Sequence, residues 1–333
     1  MKIIVDAFGG DNAPREILLG CAQARQELGI DLVLTGDEAR LEACARELGL
    51  EQELAQMEIL PCGDVLTMED EPTSVLREKG DSSMAVGLRA LAEGKGDAFA
   101  SAGNSGALVV GATMLVKRLR GVKRVAFAPI MPKSKGFFML IDGGANVDCR
   151  PEMLLQFGVM GAAYMKSVMG VEHPRVALAN VGEEEHKGDQ LRQEALALLK
   201  ACPDIRFVGN VEAREIPFDG ADVVVADGFT GNMILKLYEG VALALMEKIK
   251  GVFTSSLKGK LAAAMVYGDL KTMKKELDYN EYGGAPIMGC SKPVFKIHGS
   301  AKASTVKSAL ALIQSYAQSG VTQEIAAAVS KKS

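Results

Sequence analysis

The chain is poor in the residues that build metal centres and disulfide frameworks. It has three histidines, and its six cysteines are scattered without any C-x-x-C pair. Zinc sites and disulfide scaffolds need such residues at close, regular spacings. We therefore expect no metal and no cofactor. Scattered cysteines of this kind are typical of a reducing, cytoplasmic interior.

Long apolar runs and a surplus of positive charge are missing as well. No segment approaches the ~18 consecutive apolar residues of a membrane-spanning helix. The apolar run at residues 3–5 is too short for a secretory signal. The formal net charge of −4 offers no general attraction for nucleic acid. We expect no nucleic-acid partner, and any membrane contact is expected to be peripheral.

Three common motifs for nucleotides and nucleophiles are also absent. The sequence contains no G-x-G-x-x-G, no G-x-x-x-x-G-K-[ST] and no G-x-S-x-G. These motifs belong to dinucleotide sites, ATP-binding loops and serine nucleophile elbows, respectively. An α/β fold by itself would also suit a nicotinamide-dependent dehydrogenase, but fold does not determine function. Because the dinucleotide motif is absent, a dehydrogenase is the least favoured interpretation.

Short apolar runs alternate with longer helical patterns along most of the chain. KIIVDA precedes PREILLGCAQARQEL, DLVLTG precedes EARLEACARELG, and DVVVADG precedes NMILKLYEGVALALMEKI. This alternation is typical of βαβ units, in which helices cover a largely parallel sheet. Because no low-complexity linker interrupts it, we predict a single α/β domain over residues 1–333.

Glycines are concentrated where predicted strands end and helices begin. These junctions contain Gly9, Gly10, Gly103, Gly106, Gly143, Gly144, Gly182, Gly228 and Gly231. The carboxyl ends of parallel strands form a ligand crevice, where helix N-termini present unpaired N–H groups. One such glycine is usually there for conformational reasons, but five loops with the same feature favour an anion-binding site.

Seven segments carry a resemblance to a known family. In chain order they are DAFGGDNAP, SAGNSGAL, GGANVDCRPEMLLQF, NVGEEEHKGD, VVADGFTGNMILKLYEG, YGGAPIMG and KIHGSA. Together they resemble the bacterial phosphate acyltransferase (PlsX) family of phospholipid synthesis. The resemblance covers nearly the whole chain. It implies a Rossmann-like three-layer α/β/α fold related to phosphotransacetylases and the isocitrate dehydrogenase group, assembled as a homodimer.

The resemblance also implies a reaction. Long-chain acyl-acyl-carrier-protein and inorganic phosphate would give acyl phosphate and free carrier protein. The acyl phosphate would then feed a membrane glycerol-3-phosphate acyltransferase. Phosphate is itself the attacking group, so the protein need only position it and stabilise the oxyanion that develops. Cys149 is therefore expected to be a small buried residue rather than a nucleophile.

Two residues are predicted to be catalytic. Lys187, in NVGEEEHKGD, is expected to supply positive charge to phosphate or to the tetrahedral intermediate; alternatively, this segment is an ordinary solvated charge run. Asp227 is expected to orient that lysine or to manage a proton. The alternative is that Asp227 only forms the turn before Gly228.

The remaining predicted contacts with phosphate and the acyl-pantetheine arm rest mainly on the resemblance. They are Asp6, Gly9, Gly10, Asp11, Asn104, Ser105, Gly106, Asn146, Gly228, Thr230, Gly231, Asn232 and His298. Their polar groups are suited to hydrogen bonding with phosphate or amide groups. His298 could equally be a structural histidine.

A helical hairpin is predicted at about residues 233–278. Apolar residues recur at every fourth position of its first helix, namely Leu237, Val241, Leu245 and Ile249. A turn-like segment, GVFTSSLKG, follows, and a second helical run begins near Leu261. One interpretation of this hairpin is a homodimer interface with a solvated basic face.

The hairpin also has the composition of a membrane contact. Seven lysines and three acidic residues lie between Glu247 and Glu276. Apolar residues beside lysines suit an anionic bilayer surface, so Val252, Phe253 and Leu257 are predicted to touch the membrane. The protein would then be cytoplasmic and peripherally membrane-associated. Alternatively, the same lysines could dock an acidic carrier protein.

Two rival functions remain open at this point. A short-chain phosphotransacetylase acting on acyl-CoA would need a similar phosphate site. A non-catalytic scaffold that binds carrier protein is the rival from a different class.

Overall fold

The computed structural model describes residues 1–277 and 283–330. These residues form twelve strands and twelve α-helices. The strands are β1 (Lys2–Asp6), β2 (Asp31–Gly36), β3 (Glu58–Pro61), β4 (Ala98–Ser101), β5 (Ala126–Phe127), β6 (Ile130–Pro132), β7 (Phe137–Ile141), β8 (Arg175–Asn180), β9 (Arg206–Glu212), β10 (Val223–Val225), β11 (Ala285–Met288) and β12 (Val294–Lys296).

Helices follow most of the strands. They are α1 (Arg15–Leu28), α2 (Glu38–Leu48), α3 (Glu51–Leu54), α4 (Ser83–Ala92), α5 (Ser105–Gly111), α6 (Pro151–Ser167), α7 (Gln190–Lys200), α8 (Gly228–Thr254), α9 (Leu257–Met265), α10 (Tyr267–Leu277), α11 (Ala303–Gln318) and α12 (Val321–Ser330). A 3-10 helix at Pro72–Leu76 and a π-helical turn at Ala112–Val116 complete the regular structure described.

The strands form two sheets. The first has seven strands in the order β3-β2-β1-β4-β12-β11-β5, and the second has five in the order β6-β7-β10-β8-β9. Most neighbours are parallel; the antiparallel pairs are β11 with β12, β11 with β5, and β6 with β7. The predicted α/β class with largely parallel pairing is confirmed. The division into two sheets was not predicted, because apolar alternation does not say which strands pair.

The seven-stranded sheet has helices on both faces. Ile3 and Val5 of β1 pack into one core cluster with residues of α1 and α11. Ile4, between them, packs into a different cluster with residues of α4 and α5. Successive side chains of a strand point to opposite faces, so this sheet is the middle layer of three.

The five-stranded sheet is built in the same way and shares a core with the first. Ile141 of β7 belongs to the same cluster as Ile3 and Val5, together with residues of α6 and α7. Leu140 faces the other side, where Leu235 of α8 packs against it. The two sheets are therefore joined by one continuous apolar core.

Helix α8 leaves this core soon after it begins. Its buried residues are Gly228, Gly231 and Leu235, all within its first turns. The predicted turn GVFTSSLKG is wrong except at Ser255 and Ser256, because α8 continues through Thr254 and α9 starts at Leu257. Ser256 caps α9 by accepting a hydrogen bond from the backbone N–H of Gly259 at 3.0 Å.

The hairpin formed by α8, α9 and α10 is mostly exposed. Helix α9 buries none of its residues. The end of the predicted hairpin at residue 278 lies outside the described residues. Within the described part of the chain, no helix is both long enough and apolar enough to cross a membrane.

Candidate active site

A cavity of about 540 Å³ opens where loops from both sheets meet. Asp11 follows β1, Ser105 follows β4, and His298 follows β12. Gly144 follows β7 of the other sheet. The carboxyl ends of parallel strands are the usual place for ligands in such sheets. The cavity is thus the candidate active site.

Five of the predicted site residues line this cavity. They are Asp11, Ser105, Gly106, Asn232 and His298. Among the residues that the structure describes, the lining does not include Asp6, Gly9, Gly10, Asn104, Asn146, Lys187, Asp227, Gly228, Thr230 or Gly231. Asp6 ends β1, and Gly228, Thr230 and Gly231 lie in the first turn of α8, whereas the others lie in loops beside the cavity.

One wall of the cavity is apolar. Val109 and Val110 of α5 contribute to it, together with Phe127 of β5. Ile130 and Leu235 contribute from the other sheet and from α8. A wall of this composition is suited to a hydrocarbon group, because burying apolar surface is favourable.

The cavity is also lined by a lysine that the sequence analysis missed. Lys296 is the last residue of β12 and is only 7% exposed, yet it lines the cavity. Its Nζ donates hydrogen bonds to the carbonyl oxygens of Ala102, at 3.0 Å, and Ile297. An ammonium has three N–H donors. Two are used within the described residues, so one is left for a group in the cavity.

Burial also changes the acidity of this lysine. It lowers the pKa of Lys296 to about 8, while the negative charges of Asp6 and Asp11 act in the opposite direction. The side chain is therefore still mostly positive at pH 7. The only sign of it in the sequence was a lysine directly after two apolar residues, in VFKI.

Helix α8 brings a second cation and an amide to the same end. Asn232 and Lys236 lie one turn apart on α8, and both line the cavity. Lys236 forms an ion pair of 3.0 Å with Glu239. Gly144 has a φ of 138°, and a Cβ added to it would lie 3.4 Å from the side chain of Asn232. A Cβ there would only make ordinary contact with that side chain, so it is the positive φ that favours glycine.

His298 lies beside the lysine. Burial, followed by the nearby charge of Lys296, lowers the pKa of His298. Its Nδ1 lies 2.8 Å from the hydroxyl of Ser300. Since the ordinary pKa of histidine is about 6.5, the ring is neutral at pH 7 and suited to hydrogen bonding rather than to charge.

Lys187 and Asp227 lie on the rim of the five-stranded sheet. Lys187 is exposed in the loop after β8. Asp227 is the N-cap of α8 and accepts a hydrogen bond from the N–H of Thr230 at 2.9 Å. Its carboxylate also pairs with the guanidinium of Arg192 on α7. The predicted contact of Asp227 with Lys187 is thus replaced by a contact with Arg192, because α7 brings the arginine closer.

Close packing explains several of the glycines. A Cβ on Gly9 would lie 2.5 Å from Oδ2 of Asp6 and 2.7 Å from the nitrogen of Gly103. A Cβ on Gly231 would lie 1.8 Å from the carbonyl oxygen of Asp142. These glycines let neighbouring loops touch through their backbones, which is the conformational explanation that the sequence analysis had weighed.

Polar side chains beside the cavity hold the loops together. Asp6 accepts a hydrogen bond from the hydroxyl of Ser101 at 2.6 Å. Asn104 caps α5 through the N–H of Ala107 at 3.1 Å. The Nδ2 of Asn146 donates to Oδ2 of Asp142 at 2.8 Å. Rigid loops of this kind pre-organise the groups that face a substrate.

Asp142 organises the loop after β7, and sequence reasoning did not single it out. Its carboxylate accepts hydrogen bonds from the backbone N–H groups of Gly144 at 3.1 Å, Ala145 at 3.0 Å and Asn146 at 2.7 Å. The side chain is fully buried. An Asp followed by two glycines was the only signal in the sequence.

Comparisons with known proteins agree with this geometry. The model of the family described as "Fatty acid synthesis protein" matches residues 1–324. A phosphate acyltransferase from Alkaliphilus oremlandii is 42% identical over 330 residues, covering 99% of this chain and 98% of the relative. One from Acetivibrio thermocellus is 43% identical over 326 residues, covering 98% and 95%. The chain belongs to the phosphate acyltransferase (PlsX) family. It is therefore an acyltransferase enzyme.

Solved structures of other proteins share this fold. A phosphotransacetylase from Streptococcus pyogenes superposes with a TM-score of 0.63 at 16% identity, covering 96% of this chain and 94% of that one. The EutD phosphotransacetylase from Staphylococcus aureus superposes with a TM-score of 0.60 at 18% identity, with the same coverage. At these identities the likeness establishes the shared α/β fold, which was predicted from the resemblance.

The thiol of Cys149 is not reactive at neutral pH. Burial raises the pKa of this thiol to about 12, and the negative charge of Asp142 acts in the same direction. Only the thiolate is a good nucleophile. Cys149 is accordingly protonated at neutral pH.

Proposed function

We propose that this phosphate acyltransferase moves a long-chain acyl group from acyl carrier protein to inorganic phosphate. An oxygen of phosphate attacks the thioester carbonyl carbon, the C–S bond breaks, and the thiolate of the carrier leaves and takes up a proton. The products are acyl phosphate and free carrier protein. The observation that carries the proposal is one cavity with an apolar wall and a buried cation at its polar end.

The apolar wall of the cavity is the evidence for a long acyl chain in this proposal. The cavity of about 540 Å³ is within the usual range for small-molecule sites, roughly 300–1,000 Å³. Each methylene removed from water contributes about 0.8 kcal/mol. A long chain along Val109, Val110 and Phe127 would therefore bind far better than an acetyl group.

The polar side chains of the cavity would bind phosphate and stabilise the developing oxyanion. In this proposal, Lys296 offers its remaining N–H donor to phosphate or to the carbonyl oxygen. Asn232 and Lys236 supply a neutral donor and a second positive charge nearby. Groups held in place before the reaction stabilise developing charge effectively, because they need not reorganise.

Lys187 and Asp227 keep their proposed roles in a modified form. Asp227 caps α8 and pairs with Arg192, so it would position Asn232 five residues further along the helix. Lys187, exposed on the rim, would add positive charge for incoming phosphate. Gly228 and Thr230 would act with Asp227 by shaping the start of the helix.

A homodimer and a membrane surface complete the proposal. Phe229, Met233, Leu237, Val241 and Leu245 form an exposed apolar stripe along α8, each between 48% and 68% exposed. A second copy of the chain would cover this stripe. At the far end, Val252 and Leu257 are 70% and 80% exposed, beside lysines that suit an anionic bilayer. Acyl phosphate would leave there for a membrane glycerol-3-phosphate acyltransferase.

A direct assay tests the reaction. The protein is incubated with palmitoyl-carrier protein and phosphate, and acyl phosphate is trapped with hydroxylamine as the hydroxamate. Palmitoyl hydroxamate that appears only when phosphate is present supports the proposal. Parallel reactions with acetyl-CoA test the short-chain phosphotransacetylase. Faster turnover of acetyl-CoA than of palmitoyl-carrier protein would overturn the assignment of substrate.

A further inference from the structure

A strongly basic loop lies outside the cavity. Residues 117–124, which we call the basic loop, connect the π-helical turn at Ala112–Val116 to β5. Its sequence, KRLRGVKR, has five basic residues and no acidic one, in a chain whose net charge is −4. The five basic side chains are all exposed, and they are Lys117, Arg118, Arg120, Lys123 and Arg124.

These charges are not neutralised by the protein itself. None of the five forms an ion pair with a carboxylate of residues 1–277 or 283–330; the salt bridges there involve other cations, such as Arg175 and Lys133. Arg118 instead donates to the backbone carbonyl of Lys123. The basic loop therefore presents a concentrated positive surface to solvent.

The backbone of the basic loop is held in place. Gln156 of α6, only 8% exposed, accepts a hydrogen bond from the N–H of Lys123 at 2.8 Å and donates one to the carbonyl of Gly121 at 2.9 Å. The N–H of Leu119 donates to the carbonyl of Gly289 at 2.9 Å. A fixed loop loses less conformational entropy when it binds a partner.

Lys117 occupies a backbone conformation that lysine normally avoids. Its φ of 71° and ψ of 169° lie in a region populated almost entirely by glycine. The chain has a lysine here in spite of this strain. Backbone strain of this kind is concentrated at functional sites.

The same segment of chain builds the cavity wall. Val109 and Val110 precede the basic loop and Phe127 follows it, and all three line the cavity. Arg124 is three residues from Phe127, which is about 10 Å along an extended chain. A depression of about 370 Å³, lined by Lys117, Arg118 and their neighbours, lies on this loop. The positive surface is thus close along the chain to residues that line the cavity.

We propose that the basic loop docks the acidic surface of the carrier protein that delivers the acyl thioester. This inference rests on the proposed function, in which the acyl group arrives on such a protein. Opposite charges on two proteins speed their encounter and set their orientation. A carrier docked at the basic loop would need only a short arm to place its thioester beside Phe127.

A protein suits this surface better than a membrane does. Binding to a bilayer surface requires exposed apolar side chains beside the basic ones. The two apolar residues of the basic loop are turned inward: Leu119 is partly buried and Val122 is 5% exposed. The tip of the α8–α9 hairpin differs, since Val252 and Leu257 are exposed there. The two basic surfaces therefore have different partners.

Charge reversal in the full-length protein tests the docking. The variant carries Arg120→Glu, Lys123→Glu and Arg124→Glu, and these three side chains make no hydrogen bond or ion pair within the described residues. The matched control carries Arg46→Glu, Lys135→Glu and Arg206→Glu. These are also exposed residues, on α2, on the β6–β7 turn and on β9. Both variants change the net charge by the same amount.

Binding of fluorescently labelled acyl carrier protein is measured by anisotropy over a range of salt concentrations. We expect the loop variant to bind about tenfold more weakly or worse, with a flatter salt dependence, and the control to bind like wild type. Turnover of palmitoyl-pantetheine, a donor without the protein part, should stay at the wild-type rate in both variants. Unchanged binding by the loop variant, or an equal loss in the control, would overturn the proposal.

The remaining outcomes separate the two proposals. Binding that depends on the basic loop, in a protein that makes no acyl phosphate, would refute the proposed function and support the docking. Acyl phosphate formation without loop-dependent binding would refute only the docking. If the loop variant binds carrier protein normally but no longer floats with phosphatidylglycerol vesicles, the basic loop is a lipid contact and the docking is refuted.

Discussion

The Nζ atom of Lys296 lies 3.0 Å from the carbonyl oxygen of Ala102, and this hydrogen bond joins the end of β12 to the loop after β4. A second bond, to the carbonyl of Ile297, fixes the ammonium further. The cation is therefore held at the polar end of the cavity with little freedom. Pre-organised charge of this kind is the largest catalytic contribution in many enzymes.

Replacing Lys296 with glutamine should remove most of the activity. The amide of Lys296→Gln keeps a donor for a backbone carbonyl but has no charge for phosphate or the oxyanion. We expect kcat/KM for phosphate to fall by ~10²- to 10³-fold, while circular dichroism still shows a folded protein. Lys302→Gln, at an exposed lysine six residues further along, is the control. A folded Lys296→Gln enzyme with near-normal turnover would refute the role of Lys296.

The pKa of Lys296 predicts how phosphate binding depends on pH. Burial lowers this pKa to about 8, so the positive fraction falls as the pH rises from 7 to 9. We expect the KM for phosphate to rise over that interval in wild type. In Lys296→Gln the KM should be high throughout and should not rise further. An equal rise in both proteins would show that another group controls the pH dependence.

Lys187→Ala tests the residue that sequence reasoning placed first. Lys187 is exposed, so the variant should fold and melt like wild type. If Lys187 supplies charge to the reacting groups, turnover should fall by ~10²- to 10³-fold. Lys200→Ala, at another exposed lysine, is the control, because its surface ion pair with Glu185 contributes little. Wild-type turnover in Lys187→Ala would mean that the lysine belongs to a solvated charge run.

Gly231→Ala separates a packing role from a role in phosphate binding. An added Cβ would lie 1.8 Å from the carbonyl oxygen of Asp142, and a backbone atom cannot move away cheaply. Overpacking of this kind destabilises by about 1–3 kcal/mol or more, so the thermal midpoint should drop clearly. In Gly251→Ala, on the same helix, the added Cβ meets nothing within 4 Å, so stability should stay the same or rise. Equal midpoints for the two variants would contradict the packing role.

Changing the hairpin tip should abolish membrane binding. We expect a protein with Val252→Ser, Phe253→Ser and Leu257→Ser to lose flotation with anionic liposomes. The reason is that the apolar side chains which enter the bilayer surface are gone. Turnover of palmitoyl-carrier protein in solution should be unaffected, since these residues lie outside the cavity lining described above.

The flotation experiment needs a control in which three exposed apolar residues on other parts of the protein are changed. Met114→Ser, Val208→Ser and Phe218→Ser change residues that are 59%, 44% and 58% exposed elsewhere on the protein. This variant should float like wild type. If the tip variant floats as well as the control does, the membrane contact lies on another surface.

Local patterns in the sequence determined the class of fold and the position of the loops. The alternation of a strand such as KIIVDA with a following helix can be recognised from neighbouring residues alone. The spacing of apolar residues and the length of the segment distinguish strands from helices. The junctions that contain Ser105 and His298 were predicted at the carboxyl ends of strands, and the structure has them there. Asn232 was predicted to begin a helix, but α8 already begins at Gly228. All three residues line the cavity. Seven ordered segments were also enough to indicate the family.

Tertiary structure alone decided which charged groups face the cavity. In the sequence VFKI, Lys296 looks like any lysine at the end of a strand. Its burial depends on β4 and the loop that follows it. That loop supplies the carbonyl of Ala102, which lies nearly two hundred positions earlier in the chain. Arg192 meets Asp227 only because α7 packs beside the start of α8. Whether a side chain is buried or forms an ion pair depends on contacts with residues that are distant in sequence. For that reason no local pattern could have shown that Lys296 lines the cavity, or that the strands form two sheets.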